Sequence, residues 1–454
     1  MRRTLNALVI VFAIALLAGS AQAVTIHVPS EQATIQDGID AASTGDTVLV
    51  AANSYTGALN RDLDFGGKGI VLESEDGPAW TSINCEYSGR GFLFNSGEDT
   101  TSVVRGFAVW YAVADSGAGA YCTNGSSPKF EDCSFWYCEA GEVGGALCCN
   151  ASSPILRGCY LKWNTAGSQR RQHGRGGGLA CIAGSSPVIS DVELVENEAL
   201  DMGGGFYSHS STPTLVDCEF VSNTLGDYGN GGGAAVSQSA AASFTDCLFV
   251  ENGVYTCVGG GVYSSGSTLS VTDCDFMGNI SGACGGIHLT GSSYADVSGC
   301  VFVGNEGAWS AAGAMQCVNT SDATVSNCTF VQNGRHHVWC DGASPTLEYC
   351  ILAFSTSGLP VYCEHDTETP HVHHCFVYGN ADGDTLCGGN FHDIEYADPR
   401  LCDFPSGDVT LCADSECLPG ETWPQLVGAE DQGCDACGSP VEERTWGRIK
   451  AIYR

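Results

Sequence analysis

The chain has 454 residues, including 60 glycines and 26 cysteines, and a formal net charge of −34 with only 18 Lys plus Arg. That acidity argues against nucleic acid or anionic lipid as a partner, and it opposes polyanionic ligands such as pectate unless cations bridge. Glycine without a G-X-Y period excludes collagen.

Residues 1–23 read as a signal peptide. Arg2 and Arg3 form its charged start, Leu5 to Leu17 an apolar stretch too short to span a bilayer, and Ala21-Gln22-Ala23 the cleavage site. The mature chain is expected to begin near Val24, and no later stretch is apolar enough to be a transmembrane segment. Export implies an oxidising compartment, though the positions of the cysteines decide whether they pair.

Residues 24–57 are expected to form an N-terminal cap and first strand. Ile35, Ile39 and Ala42 have helical spacing from Ala33 to about Ala42, and Thr47 to Val50 reads as a strand. A helix there would cover the core and the unpaired edge at one end of a solenoid.

From 58 to 390 the chain reads as coils. The phrase "TLVDCEFVSN" at 214–223 returns as "SFTDCLFVEN", "SVTDCDFMGN" and "DVSGCVFVGN", about every 27 residues. Aligned on it, Cys133, Cys159, Val192, Cys218, Cys247, Cys274, Cys300, Cys328, Cys350 and Cys375 share a column. The position three earlier is apolar throughout, and so is the position two later. Five later the column holds Asn164, Asn197, Asn223, Asn252, Asn279, Asn305, Asn333 and Asn380. Cysteine and Phe two apart share one face of a strand, whereas the earlier apolar residue has the wrong parity, so a bend falls at the Asp between them. A glycine run and a Ser-Ser-Pro-like turn complete each coil. Three short strands and three turns per coil predict an all-β, right-handed three-sided parallel β-helix with a short N-terminal capping helix, its ten regular coils about 45 to 50 Å long.

The repeated phrase is therefore structural. Its Asn is expected to adopt left-handed backbone and hydrogen-bond along the turn. Parallel Cβ vectors in stacked coils oppose disulfides, so the main cysteine column is expected to be buried thiols. A second thiol ladder is expected from Cys122, Cys148 and Cys181 at one end and Cys340, Cys363 and Cys387 at the other. Cys257 and Cys284, at turns of adjacent coils, form a candidate disulfide pair. Cys402, Cys412, Cys417, Cys434 and Cys437 lie in a C-terminal cap, residues 391–437, where pairing is also expected. Residues 438–454 form a basic tail with Trp446, Ile449 and Tyr453, either a frayed terminus or a sorting or attachment tag.

Phe220-Val221-Ser222-Asn223, Phe249-Val250-Glu251-Asn252 and Gly144-Gly145-Ala146-Leu147 resemble polymorphic outer-membrane-protein repeats. The opening "VPSEQATIQDGIDAASTGDTVLV" is similar to that of secreted bacterial right-handed β-helix proteins of the pectin-lyase-like class. The resemblance covers about residues 24 to 400. It implies the fold, and a family of adhesins, pectate lyases, esterases and glycosidases. Arg448-Ile449-Lys450 matches the letters of a galacturonan-hydrolase motif but lies in the tail without its companions.

Candidate sites follow from the columns. Asp191, Asp217, Asp246 and Asp273, with Glu193, Glu219 and Asp275 two residues on, either cap the bend or bind cations such as calcium. No Lys or Arg occurs from Gly176 to Gly334, so this stretch lacks the cationic base of a pectate lyase. Arg170 and Arg171 in an inserted loop are candidates for an anionic partner. His371 and His373, outward on one face near Asp366 and Glu368, are a candidate zinc or copper site. Tyr121, Tyr207, Tyr263, Trp339 and Tyr362 form a broken outward stripe that serves β-propensity or stacks on sugar rings.

The favoured function is a non-enzymatic secreted or cell-surface rod, monomeric, adhesive or binding carbohydrate or another surface protein. Its tail would associate it with the outer membrane. The alternatives are a polysaccharide lyase or hydrolase and a cation-binding envelope protein.

Overall fold

Strands of successive coils pair in parallel register, so each sequence column becomes a line of stacked side chains. The computed structural model describes residues 22–167, 173–308, 312–404, 407–420, 424–435 and 437. The leader through Ala21, Arg170 and Arg171, and the basic tail lie outside the described residues.

The first side stacks Val48, Leu72, Val104 and Phe130 inward and continues through Leu215, Phe244 and Val271 to Val372 and Phe391. The second side stacks Phe220, Phe249, Phe276, Phe302 and Phe330, with successive rings 4.4 to 4.8 Å apart. The third side is an eleven-stranded sheet whose inward column includes Phe206, Ala234, Val262 and Ile287. All of these side chains are buried in one core, apart from the partly buried Phe391 at its end.

The bend between the first two sides falls at the expected Asp. Asp132, Asp191, Asp217, Asp246 and Asp273 take φ of 52° to 54°, a left-handed conformation that Asp tolerates well. The second turn departs from expectation. Its left-handed residue is the one before the Asn, for example Ser222 or Glu251, both at 52°. This leaves the Asn side chain pointing inward. Asn223 Nδ2 donates to Leu194 O (2.8 Å) and to Asn252 Oδ1 (2.9 Å), and Asn252 Oδ1 also accepts the backbone N–H of Asn223 (3.0 Å). The fully buried asparagines thus satisfy backbone groups that the turn would otherwise strand. Buried serines do similar work before the first side, where Ser185 N donates to Ser211 Oγ (3.2 Å) and Ser293 N to Ser321 Oγ (3.0 Å). The glycine run is sterically required: a Cβ on Gly204 would lie 2.3 Å from Thr224 O.

The helix spans Ile35–Ala41, shorter at both ends than expected, with Thr34 Oγ1 accepting the N–H of Asp37 (3.2 Å). Its Ile35 and Ile39 join the core. At the other end Asn390–Glu395 pairs with His371–Tyr378, so the coils run past residue 390. Three short strands, Leu401–Asp403, Asp408–Cys412 and Gln432–Cys434, then form a separate small sheet. Among the described residues no helix is long and apolar enough to cross a membrane.

The main cysteine column is unpaired and buried, as expected. Other cysteine expectations are corrected. Cys257 and Cys284 are free: Cys284 donates to Ile287 O (3.2 Å), while Cys257 Sγ accepts the N–H of Val254 (3.3 Å), so each thiol is engaged in its own turn. Cys149, not Cys148, lies in register with Cys122 and Cys181. Cys363 and Cys387 form a disulfide. Leu386 bridges Val361, so Cys387 stands one residue out of line with Cys363, and the pair escapes the parallel Cβ arrangement of a true column. In the cap, Cys402 pairs with Cys434 and Cys412 with Cys437, whereas Cys417 is free.

Candidate functional site

The second side presents two outward columns beside its Phe ladder. One runs Ser82, Ala108, Ser134, Tyr160, Glu193, Glu219, Leu248, Asp275; the other runs Asn84, Trp110, Trp136, Lys162, Val195, Val221, Val250, Met277. Small residues at the start of the first column, beside tryptophans in the second, open a trough of about 700 Å³. Ser54, Ser82 and Ser134 lie along it, with Trp110 and Trp136 on one flank, Pro78, Ala79 and Trp80 on the other, and Tyr160 at its inner end. The indoles of Trp110 and Trp136 are parallel within 4° at 5.1 Å, and Tyr160 lies 5.1 Å from Trp136. Trp80 is 70% exposed.

A second aromatic ladder runs alongside on left-handed turn residues. Tyr87, Tyr111, Tyr137 and Trp163 stack with spacings of 4.8, 5.6 and 4.9 Å. Beyond Tyr160, Lys162 Nζ lies 3.0 Å from Glu196 Oε1 and 4.4 Å from the Trp163 ring centroid. Burial opposes the ammonium charge, but Glu196 and Tyr160 outweigh it and hold Lys162 above its ordinary pKa. Every residue lining the trough is itself uncharged. Aromatic walls with hydroxyl groups between them suit a ligand with apolar faces and a hydroxylated rim.

Glu193 and Glu219 follow Tyr160 on this same side, and Asp275 lies two coils further on, past Leu248. Asp191, Asp217, Asp246 and Asp273 are exposed at the bend beside them. Among the described residues, no three of these carboxylates bring oxygens within 4.8 Å of one another. His371 and His373 face outward on the first side with parallel rings 6.0 Å apart, and His373 stacks on His392 at 5.2 Å. Burial and the neighbouring imidazoles hold His373 below its ordinary pKa.

Tyr121, Tyr207, Tyr263, Trp339 and Tyr362 do share one column of the third side, interrupted by Cys148, Ala180, Ala235, His288 and Gln316. Tyr207 is only 2% exposed, however. It packs with Ala180, Ala235 and Met202 under Arg175, so its ring is covered. Tyr263, Trp339 and Tyr362 remain half-buried.

Sequence reasoning sought aromatics on the third side and missed the trough. The signal was the recurring pair Trp110-Tyr111 and Trp136-Tyr137, continued by Lys162-Trp163, four and five residues after the bend position of each coil.

In sequence, the family model described as a right handed beta helix region matches residues 38–276 and 261–395. No curated protein matches the chain. Among solved structures, pectate lyase Pel9A is 11% identical with a TM-score of 0.39, over 88% of this chain and 90% of that one. The A-module of the Azotobacter vinelandii mannuronan C-5 epimerase AlgE6 is 14% identical with a TM-score of 0.41, over 81% and 95%. The catalytic unit of a thermostable GH87 α-1,3-glucanase from Streptomyces thermodiastaticus is 10% identical with a TM-score of 0.35, over 79% and 64%.

Proposed function

We propose that this chain, which belongs to the right-handed β-helix family, is an exported rod that binds a neutral polysaccharide along its second side without cleaving it. The observation that carries this reading is the trough between Trp80 and the Trp110–Trp136 pair, lined by serines and by no charged side chain. Sugar rings offer C–H faces to aromatics and hydroxyls to serines, while a uronate carboxylate would find no cation in the trough. The leader-like residues Arg2 to Ala23 support export, and the basic tail supports attachment at a cell surface.

The test is a glycan array probed with the purified chain, with and without calcium, read for retained glycan and for released unsaturated or reducing ends. Retention of neutral glycans without release is expected. Retention of uronates alone would reject the neutral-ligand reading.

A second reading, glycoside hydrolysis, rests on Glu193. It is exposed and follows Tyr160 in register, and partial desolvation and the Asp191 carboxylate raise its pKa, the direction that favours a general acid. Release of reducing ends that stops in Glu193→Gln would establish it.

A further inference from the structure

We propose that Asp341, His365 and Glu368 form a binding site for a divalent transition-metal ion, with zinc the best fit. Asp341 ends the third-side strand His336–Asp341, and the other two lie on the loop of the next coil, between Val361–Cys363 and His371–Tyr378. One donor atom from each lies within 4.8 Å of the other two. His365 Nε2 is 3.4 Å from Asp341 Oδ1. Two ligands of one tetrahedral ion, with bonds of about 2.0–2.1 Å, stand about 3.4 Å apart.

Glu368 is 2% exposed, and its carboxylate is fixed: Oε1 accepts the N–H of Gly342 (2.6 Å) and Oε2 that of His365 (3.1 Å). Each oxygen keeps a further lone pair for a metal. Residues 336–399 contain neither Lys nor Arg, and no described ion pair brings one to Asp341 or Glu368. Among the described residues, the one recorded ion-pair partner of these two carboxylates is the His365 imidazole, on Asp341. Glu98 supplies the contrast. It is equally buried and caps turns through Gly67 and Ser96, but there a Ser126 hydroxyl completes its bonding. At Glu368 an imidazole and a second carboxylate converge instead.

The Cys363–Cys387 disulfide, two residues before His365, ties the loop down before any ion arrives. An imidazole with two carboxylates favours zinc over calcium or magnesium. The His365 side chain is 61% exposed, leaving the fourth position to water.

The test is calorimetric titration of the disulfide-intact, chelator-treated full chain with zinc, calcium and magnesium. One zinc per chain is expected to bind with a micromolar or tighter Kd, at least tenfold weakened in both His365→Ala and Asp341→Asn. The double variant His371→Ala/His373→Ala is expected to bind as the parent does. Metal-free His365→Ala should melt with the parent, because its side chain is exposed. Absence of zinc heat, parental affinity in His365→Ala, or calcium binding as tight as zinc would overturn the proposal.

Discussion

His337 Nε2 lies 3.0 Å from Asn380 Oδ1, and this contact carries the asparagine ladder across a rung that has none. The rung's own residue is Ser355, whose N–H also goes to Asn380 Oδ1 (3.1 Å). His337 Nε2 faces a second acceptor, Ala353 O (3.1 Å), while Nδ1 faces the Asn333 amide nitrogen (3.2 Å). Those partners assign the neutral Nε2–H tautomer. A proton on Nδ1 would point at a donor.

Stability should fall on mild acidification. Burial lowers both His337 and His288 to about 4. An unfolded histidine takes its proton near 6.5, so between about pH 6.5 and about pH 4 the unfolded chain holds protons that the folded chain lacks. Stability is complete above this window and is lost as pH falls through it, by up to on the order of 3 kcal/mol per histidine. Urea midpoints at about pH 7 and about pH 5 check this. His337→Gln should reduce the difference between them.

Asn252→Ala should be strongly destabilising. The side chain accepts from Asn223 N and Nδ2 and donates to Phe220 O and Asn279 Oδ1, all in the dry interior. Leaving several buried groups unpaired costs about 3 kcal/mol or more. Denaturant melts measure it. A change below about 1 kcal/mol would mean water replaces the amide.

Trp110→Ala and Trp136→Ala should each weaken neutral-glycan retention about tenfold while leaving the circular-dichroism spectrum unchanged. Ser134→Trp should abolish retention by filling the trough, since Ser134 lies on its lining beside Trp136. Equal retention in all three variants would move the glycan site elsewhere.

Thiol labelling should be nearly absent in the native protein. Six of the 26 cysteines are in three disulfides, which leaves twenty, all buried. Burial pushes Cys138 and Cys417 up to about 12, so these two form little thiolate at neutral pH, and burial denies the reagent access to the rest. Mass spectrometry after alkylation should find twenty labels only once the chain is unfolded.

The core was legible in the sequence because a fixed period sets the register, and register alone decides which residues stack. Phe220 over Phe249 and Asn223 over Asn252 follow from spacing alone. What escaped depended on departures from the period. The Cys363–Cys387 bond needs a one-residue offset between coils. Parity correctly put Tyr207 outside, but it could not foresee that Met202 and Arg175 would cover it. Trp80 sits in an early, irregular coil, so no column drew it toward Trp110. The convergence of Asp341 with His365 and Glu368 joins a strand end to a loop one coil later, which spacing does not encode.

The C-terminal cap rests on Val301, Val331, Ile351 and Phe376, the continuation of the outward columns that begin with Ser82 and Asn84. Asn327 Nδ2 binds Leu426 O (2.7 Å) and Gly428 N binds Tyr349 O (2.8 Å), which anchors it there. A polymer lying along this side from the helix-capped end therefore meets a wall before the last coils. The open length of this side is therefore set by the cap and ends short of the last coils.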